Sequence, residues 1–247
     1  LGRESNFYFV DQYNAEFNRT IQPMKGGYTD NYYMQMAQNI RRYKGVRPLP
    51  EHKEYHRVRI DGKFDDWEQV AIEYRDTRGD ITRRDYPGYG GNHYVNRSGR
   101  NDIVRTKVAV DKRKIGFYVE TADPLTPYTD SNWMMLFIDA DNDSDTGWFG
   151  YDFVVNRRVE DDHTTTLMKY DKHSGAWIEV EQLPYRVDGN RMELTIDRRL
   201  LGLKSDTFIF DFKWADNPAA ELTDPIAFIE GDAAPNRRFN YRCKFAK

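Results

Sequence analysis

Between residues 104 and 245 one pattern keeps recurring: short apolar runs of strand length, separated by turns. Such a pattern can bury its apolar residues only by stacking sheet on sheet. Val104, Val108 and Val110 precede a charged turn at 111–114, and Ile115, Phe117 and Val119 follow it, a hairpin signal. The longest apolar run, 133–138, is six residues. That is the length of a buried strand and far short of the ~18 residues a membrane span needs. It leads through an acidic turn into 151–155, and 166–170 and 177–180 flank another glycine-containing turn. Runs at 191–196, 207–214 and 239–245 complete the series. Phe208, Phe210, Phe212 and Trp214 share one face at period 2, which assigns Trp214 to the core. The spacing predicts a mainly β chain, with residues 48–247 folded as an antiparallel β-sandwich.

The first 47 residues read differently. Residues 6–10 are a β-like run ending on Asp11, followed by a polar stretch and then a helix signal. Thr29 or Asp30 can cap that helix, and Tyr33, Met36, Ala37, Ile40 and Tyr43 fall at helical spacing. Arg41, Arg42 and Lys44 suit its last turn, and Gly45 ends it. This strand–loop–helix segment, residues 1–47, cannot enclose a core by itself and has to dock on something. Residues 47–54 carry two prolines and almost nothing to bury, the composition of a linker.

Composition removes several function classes. Thirty-six Trp, Tyr and Phe residues recur along the whole chain, which excludes extensive disorder. A net charge of -3 argues against binding nucleic acid by neutralising phosphates. A single cysteine, Cys243, excludes an internal disulfide and a cysteine-based zinc site. His52 and His56 lie four apart but lack the glutamate of a helical zinc motif. Glycines 88, 90 and 91 lack the Lys-Ser/Thr of a phosphate loop, and no Gly-x-Ser-x-Gly elbow is present.

Three segments in order resemble the family 9 carbohydrate-binding modules and their DOMON-like β-sandwich relatives. They are Ile60-Asp-Gly-Lys-Phe-Asp-Asp-Trp67, Leu136-Phe-Ile-Asp-Ala-Asp-Asn-Asp-Ser-Asp-Thr-Gly147 and Glu193-Leu-Thr-Ile-Asp-Arg-Arg-Leu-Leu-Gly202. In the third segment Asp197 stands where that family usually has proline. Residues 6–47 are similar to the last strand and helix of (β/α)8 glycoside-hydrolase barrels of the family 71/99-like kind. Together the resemblances imply a non-catalytic sugar-binding module, appended to a barrel that precedes it and holding that hydrolase near oligo- or polysaccharide. They also imply an extracellular or periplasmic setting. Two other readings stay open: an accessory domain that binds no ligand, and a haem-binding redox module using Met168, Met192 or His163. Asp11 and Glu16 follow the first strand, where a whole barrel would place catalytic carboxylates. With seven strands missing, no catalysis is expected from them.

Two constellations are candidate sites. Asp139, Asp141, Asp143, Asp145 and Asp152 crowd one turn. With Asp141 as position 1, acids fall at 1, 3, 5 and 12, the oxygen spacing of an EF-hand-type calcium loop. Position 6 is Thr146, however, and Gly147 comes one residue late. The competing reading is a solvated tip whose carboxylates accept local backbone amides. The expected cofactor is therefore none, or one Ca2+. The second constellation is aromatic: Tyr86, Tyr89 and Tyr94 with Asn92, His93, Asn96 and Arg97 in a Gly/Pro-rich stretch, Trp148, Phe149 and Tyr151 after the acidic turn, and Trp133. Flat apolar rings cover sugar C–H groups, and nearby amides or guanidinium groups take the hydroxyls.

Overall fold

The structure is a computed structural model that describes residues 31–45, 48–81, 84–87, 93–219, 222, 227–228, 230–236 and 239–247. In chain order its elements are α1 (Asn31–Lys44), β1 (Glu51–His52), a 3-10 turn (Phe64–Gln69), β2 (Glu73–Arg75), β3 (Arg84–Pro87) and β4 (His93–Asn96). There follow β5 (Ile103–Val110), β6 (Lys114–Thr121), β7 (Met135–Asp139), β8 (Phe153–Val159) and β9 (Thr164–Asp171). The last are β10 (Ala176–Asp188), β11 (Arg191–Asp197), β12 (Thr207–Asp216), β13 (Asp232–Ala234) and β14 (Tyr241–Ala246).

The chain divides into two compact units, Leu1–Pro48 with Thr82–Gly99, and Leu49–Ile81 with Arg100–Lys247. In the smaller unit, α1 carries Arg41, Arg42 and Lys44 in its last turn, where carbonyl dipoles favour cations. Gly45 follows with φ 77°, the left-handed conformation that stops a helix. Ile40 and Tyr43 on α1 stay exposed. The expected strand at 6–10, with Asp11 and Glu16, lies outside the described residues. Strands β3 and β4 form a hairpin in a stretch whose sequence shows no periodicity.

The larger unit is one twelve-stranded sheet in the order β1-β14-β12-β7-β8-β9-β10-β11-β6-β5-β2, with β13 added beside β12. Strand β10 makes the sheet double back. Its first part pairs with β9 as far as Pro184 opposite Thr164, and from Tyr185 onward it pairs with β11. A bulge between Glu179 and Glu181 bends it, and Pro184, which has no N–H to donate, sits where it changes partners. The two halves therefore face each other: Phe117 of β6 lies 5.9 Å from Phe210 and 5.8 Å from Phe212 of β12. Phe208, Phe210, Phe212 and Trp214 all join this core, as their period-2 spacing predicts. The expected sandwich is thus a single curled sheet, and it is mixed rather than purely antiparallel, because β1 runs parallel to β14. Its two ends meet at Tyr74 of β2. The Tyr74 hydroxyl donates to the Arg242 carbonyl of β14 at 3.2 Å and lies 3.4 Å from His52 Nε2 of β1. His52 is buried, so the presumed linker already belongs to the sheet.

Two of the segments that carry the resemblance touch each other. Glu193, on β11, is fully buried. Its Oε1 accepts the amides of Asp61 (3.1 Å) and Gly62 (2.9 Å), and its Oε2 accepts Trp67 Nε1 (2.7 Å). Burial outweighs these donors and raises its pKa. The pattern that begins at Ile60 and the glutamate of the third segment are therefore one structural joint, pinning the 3-10 turn to the sheet. Asp197, in place of the usual proline, accepts the Arg199 amide at 2.9 Å and turns the chain out of β11.

Candidate functional site

Strand β7 is apolar on both faces. Leu136 and Ile138 enter the inter-sheet core, while Met135 and Phe137 point outward into a second cluster with Trp148, Tyr151, Val154 and Phe228. The segment after the acidic turn thus folds back to cover the outer face of its own hairpin. Phe137 is the hub, 5.8 Å from Trp148, 5.4 Å from Tyr151 and 5.1 Å from Phe228. At the margin of this cluster the rings reach solvent. Phe149, 57% exposed, stands edge-on to Trp148 at 5.4 Å. Trp177 lies 6.4 Å from Trp148, and Tyr170, its direct cross-strand partner, is 5.2 Å from it; both are half-buried. Phe149, Trp148, Trp177 and Tyr170 therefore form a continuous line of contacting rings. Lys172, in the turn after Tyr170, donates to the Asp145 carbonyl at 2.6 Å and joins this line to the acidic tip.

The tip satisfies most of its own carboxylates. Asp139 Oδ1 accepts the Asn142 amide (2.7 Å), Asp141 Oδ1 the Asp143 amide (2.9 Å), Asp143 Oδ1 the Asp145 amide (2.9 Å) and Asp152 Oδ2 the Ala140 amide (2.9 Å). Thr146 Oγ1 sits among them, 3.1 Å from both Asp141 oxygens and 2.9 Å from the Asp143 carbonyl. Asp139, Asp141 and Asp152 each bring one carboxylate oxygen within 4.8 Å of the others, a set that could hold a cation. Asp143 and Asp145 do not join that set. Both are exposed, as is Asp141. Burial first, and then the charges of Asp211, Asp152 and Asp141, push the Asp139 pKa up to about 6 against the Asn142 amide, and burial raises that of Asp152. Gly147 shapes the turn that follows. It has φ 58°, and a Cβ there would lie 2.3 Å from the Tyr151 carbonyl oxygen. The turn it permits carries reciprocal backbone bonds between Trp148 and Tyr151, at 2.8 and 3.1 Å.

The other expected sugar contacts fare unevenly. Trp133 is 2% exposed, donates from Nε1 to the Thr126 carbonyl at 2.9 Å and packs on Tyr185, so it offers no open face. Trp148, 5% exposed, is likewise packing, because the outer face of β7 needs a cover. Tyr86 and Tyr94 are paired by backbone across β3 and β4, and their side chains, with all of Tyr89, lie outside the described residues. Arg97 is exposed and pairs with Asp85 at 3.6 Å. Met192 is in the inter-sheet core whereas Met168 lies against the outer cluster, so these two haem-ligand candidates are not brought together. Sequence reasoning placed Phe149 beside Trp148 after the acidic turn, but missed Trp177 and Tyr170 as partly exposed rings. The usable signal was the turn 172–175, which sets Trp177 opposite Tyr170.

Fold and surface together define a mainly β module whose outer face carries a partly exposed aromatic line beside an acidic hairpin. No protein-family model and no curated protein matches the sequence. Among solved structures, the chain is similar to a family 9 carbohydrate-binding module from Caldicellulosiruptor kristjanssonii in complex with cellotriose. The identity is 17% and the TM-score 0.39, covering 75% of this chain and 82% of that one. The same module in complex with glucose gives 17% identity and a TM-score of 0.38, covering 75% and 83%. No helix among the described residues is long and apolar enough to cross a membrane.

Proposed function

We propose that this chain is a non-catalytic carbohydrate-binding module and that the exposed end of the aromatic line is its sugar contact. The observation that carries this reading is the solvent-facing Phe149 with half-buried Trp177 and Tyr170, held by rings rather than by flexible loop, next to the Lys172–Asp145 contact. Rings fixed in this way stack on sugar C–H faces without losing much side-chain freedom, while neighbouring polar groups take hydroxyls. The contact area is small, so affinity falls on the order of µM to mM. The three-segment resemblance supports the same class. The resemblance of residues 6–47 to a barrel's last strand and helix, with α1 forming where that likeness places a helix, supports a role in holding an attached glycoside hydrolase on glycan outside the cytoplasm.

Calorimetry against a panel of soluble oligosaccharides tests the reading. Phe149→Ala and Trp177→Ala should each weaken binding about ten-fold, equal to ~1.4 kcal/mol, with the melting curve of Phe149→Ala unchanged. No binding by the unmodified chain at millimolar sugar, or binding indifferent to both substitutions, refutes it.

A further inference from the structure

A second group of carboxylates gathers far from the hairpin tip. Asp76 directly follows β2, Asp80 closes the turn after it, Asp102 directly precedes β5, and Asp232 opens β13. One oxygen each from Asp76, Asp80 and Asp232 lies within 4.8 Å of the other two. The hydrogen bonding here differs in kind from that of the tip. Asn236 Nδ2 donates to Asp80 Oδ2 and, at 3.5 Å, to Asp76 Oδ1, and the Gly79 amide donates to Asp102 Oδ2 at 2.8 Å. The opposite oxygen of each, namely Asp76 Oδ2, Asp80 Oδ1 and Asp102 Oδ1, is buried and has no hydrogen-bond partner. Among the described residues only five buried side-chain atoms are left this way, and three of them are in this one place. Asp232, 3% exposed, accepts the Ile103 amide at 2.6 Å and the Ala233 amide at 2.9 Å, which fixes its carboxylate while leaving lone pairs over.

We propose that this cluster is a calcium-type cation site, with Asp76, Asp80 and Asp232 as ligands and Asp102 beside them. Each of Asp76, Asp80 and Asp102 is anchored through one oxygen and offers the other. Buried carboxylate oxygens need a donor or a cation, and none of these has a donor. The nearest buried cation is Lys213. It is fully buried, lies 5.4 Å from the centre of the Phe228 ring and donates to the Pro235 carbonyl. One lysine so engaged does not offset four carboxylates. An all-oxygen set without His or Cys suits a hard cation, and Ca2+ accepts about 6–8 oxygens in irregular geometry where Mg2+ demands an octahedron. The ion would tie β2, β5 and β13 together, a structural role independent of sugar binding.

Calcium alone is the probe, with the whole chain as the protein. Calorimetric titration and melting in chelator versus millimolar calcium are run on the unmodified chain, Asp80→Asn, Asp102→Asn and Asp141→Asn. The unmodified chain should bind one ion at this cluster and melt several degrees higher with calcium. Asp80→Asn should weaken binding at least about ten-fold and abolish the thermal gain, Asp102→Asn should weaken it less, and Asp141→Asn should keep both. If Asp80→Asn does not fold, Asp102→Asn carries the comparison with Asp141→Asn. Three results overturn the proposal: no calcium-dependent change in the unmodified chain, loss of binding in Asp141→Asn alone, or Asp80→Asn and Asp102→Asn binding as tightly as the unmodified chain.

Discussion

Replacing Glu193 with glutamine keeps size and shape and removes one acceptor, so its cost follows from the three donors around it. In the native joint Oε1 serves two backbone amides and Oε2 serves the Trp67 indole. A glutamine has a single carbonyl oxygen. Whichever way it turns, its NH2 faces an N–H that can no longer be satisfied. Losing a hydrogen bond to a charged acceptor costs about 1.5–3 kcal/mol, partly offset because a buried charge disappears, so Glu193→Gln should cost about 2 kcal/mol. Glu193→Ala leaves three donors, the Trp67 indole among them fully buried, and a void, and should cost about 4 kcal/mol. The sharper expectation is the sign of a coupling. Trp67→Phe alone should cost about 1–2 kcal/mol, yet in the Glu193→Gln background it removes the clashing donor. The double variant should therefore be more stable than the sum of the singles by about 1–2 kcal/mol. Urea unfolding followed by far-ultraviolet circular dichroism reads this, and the melting temperature should fall by about 2–4 °C per kcal/mol. A Glu193→Gln variant within about 0.5 kcal/mol of the parent, or strict additivity with Trp67→Phe, refutes the joint as the reason for these residues.

Gly147→Ala should destabilise by about 3 kcal/mol, since it combines left-handed strain with a Cβ placed 2.3 Å from the Tyr151 carbonyl oxygen, and thermal melting checks it. His52 provides a pH dependence. Burial first, and then the charge of His56, bring its pKa from 6.5 down to about 4, so the unfolded chain takes up a proton below pH 6.5 that the folded chain refuses until about 4. Its contribution is therefore complete above that upper value and is lost as pH falls through the window, by up to about 3 kcal/mol. His52→Gln should flatten the difference between urea midpoints at pH ~5 and ~7, a window set by the ordinary histidine pKa. An unchanged slope would assign the acid sensitivity to other groups.

The strands and α1 were legible because each is long enough to show its period, as in 207–214 and 31–44. Strands β1, β2 and β13, of two or three residues, are too short for any periodicity. The burial of Trp148 was readable in principle. Six consecutive apolar residues at 133–138 mean that both faces of a strand need cover, and the nearest rings able to supply it follow the same hairpin. What no local pattern could supply was the meeting of Asp76, Asp80 and Asp232, because the sheet's path, not the spacing of residues, brings them together. The acidic tip is the opposite case. Its carboxylates are close in sequence and obvious to the eye, but their spacing is met by backbone amides.

The end-to-end meeting of the curled sheet at Tyr74 makes a seam. Everywhere else neighbouring strands are joined by backbone ladders, but between β2 and β14 the joins involve side chains: Tyr74 to the Arg242 carbonyl, and Tyr241 to the Arg75 carbonyl at 2.9 Å. Such a line opens without breaking a ladder, and β2, one of the edges it would bare, is only three residues long. Short edges of this kind are poor templates for another chain to pair with. The sheet thus gives up continuous closure at the one place where transient opening exposes little that could aggregate, and Asp76 stands immediately beside it.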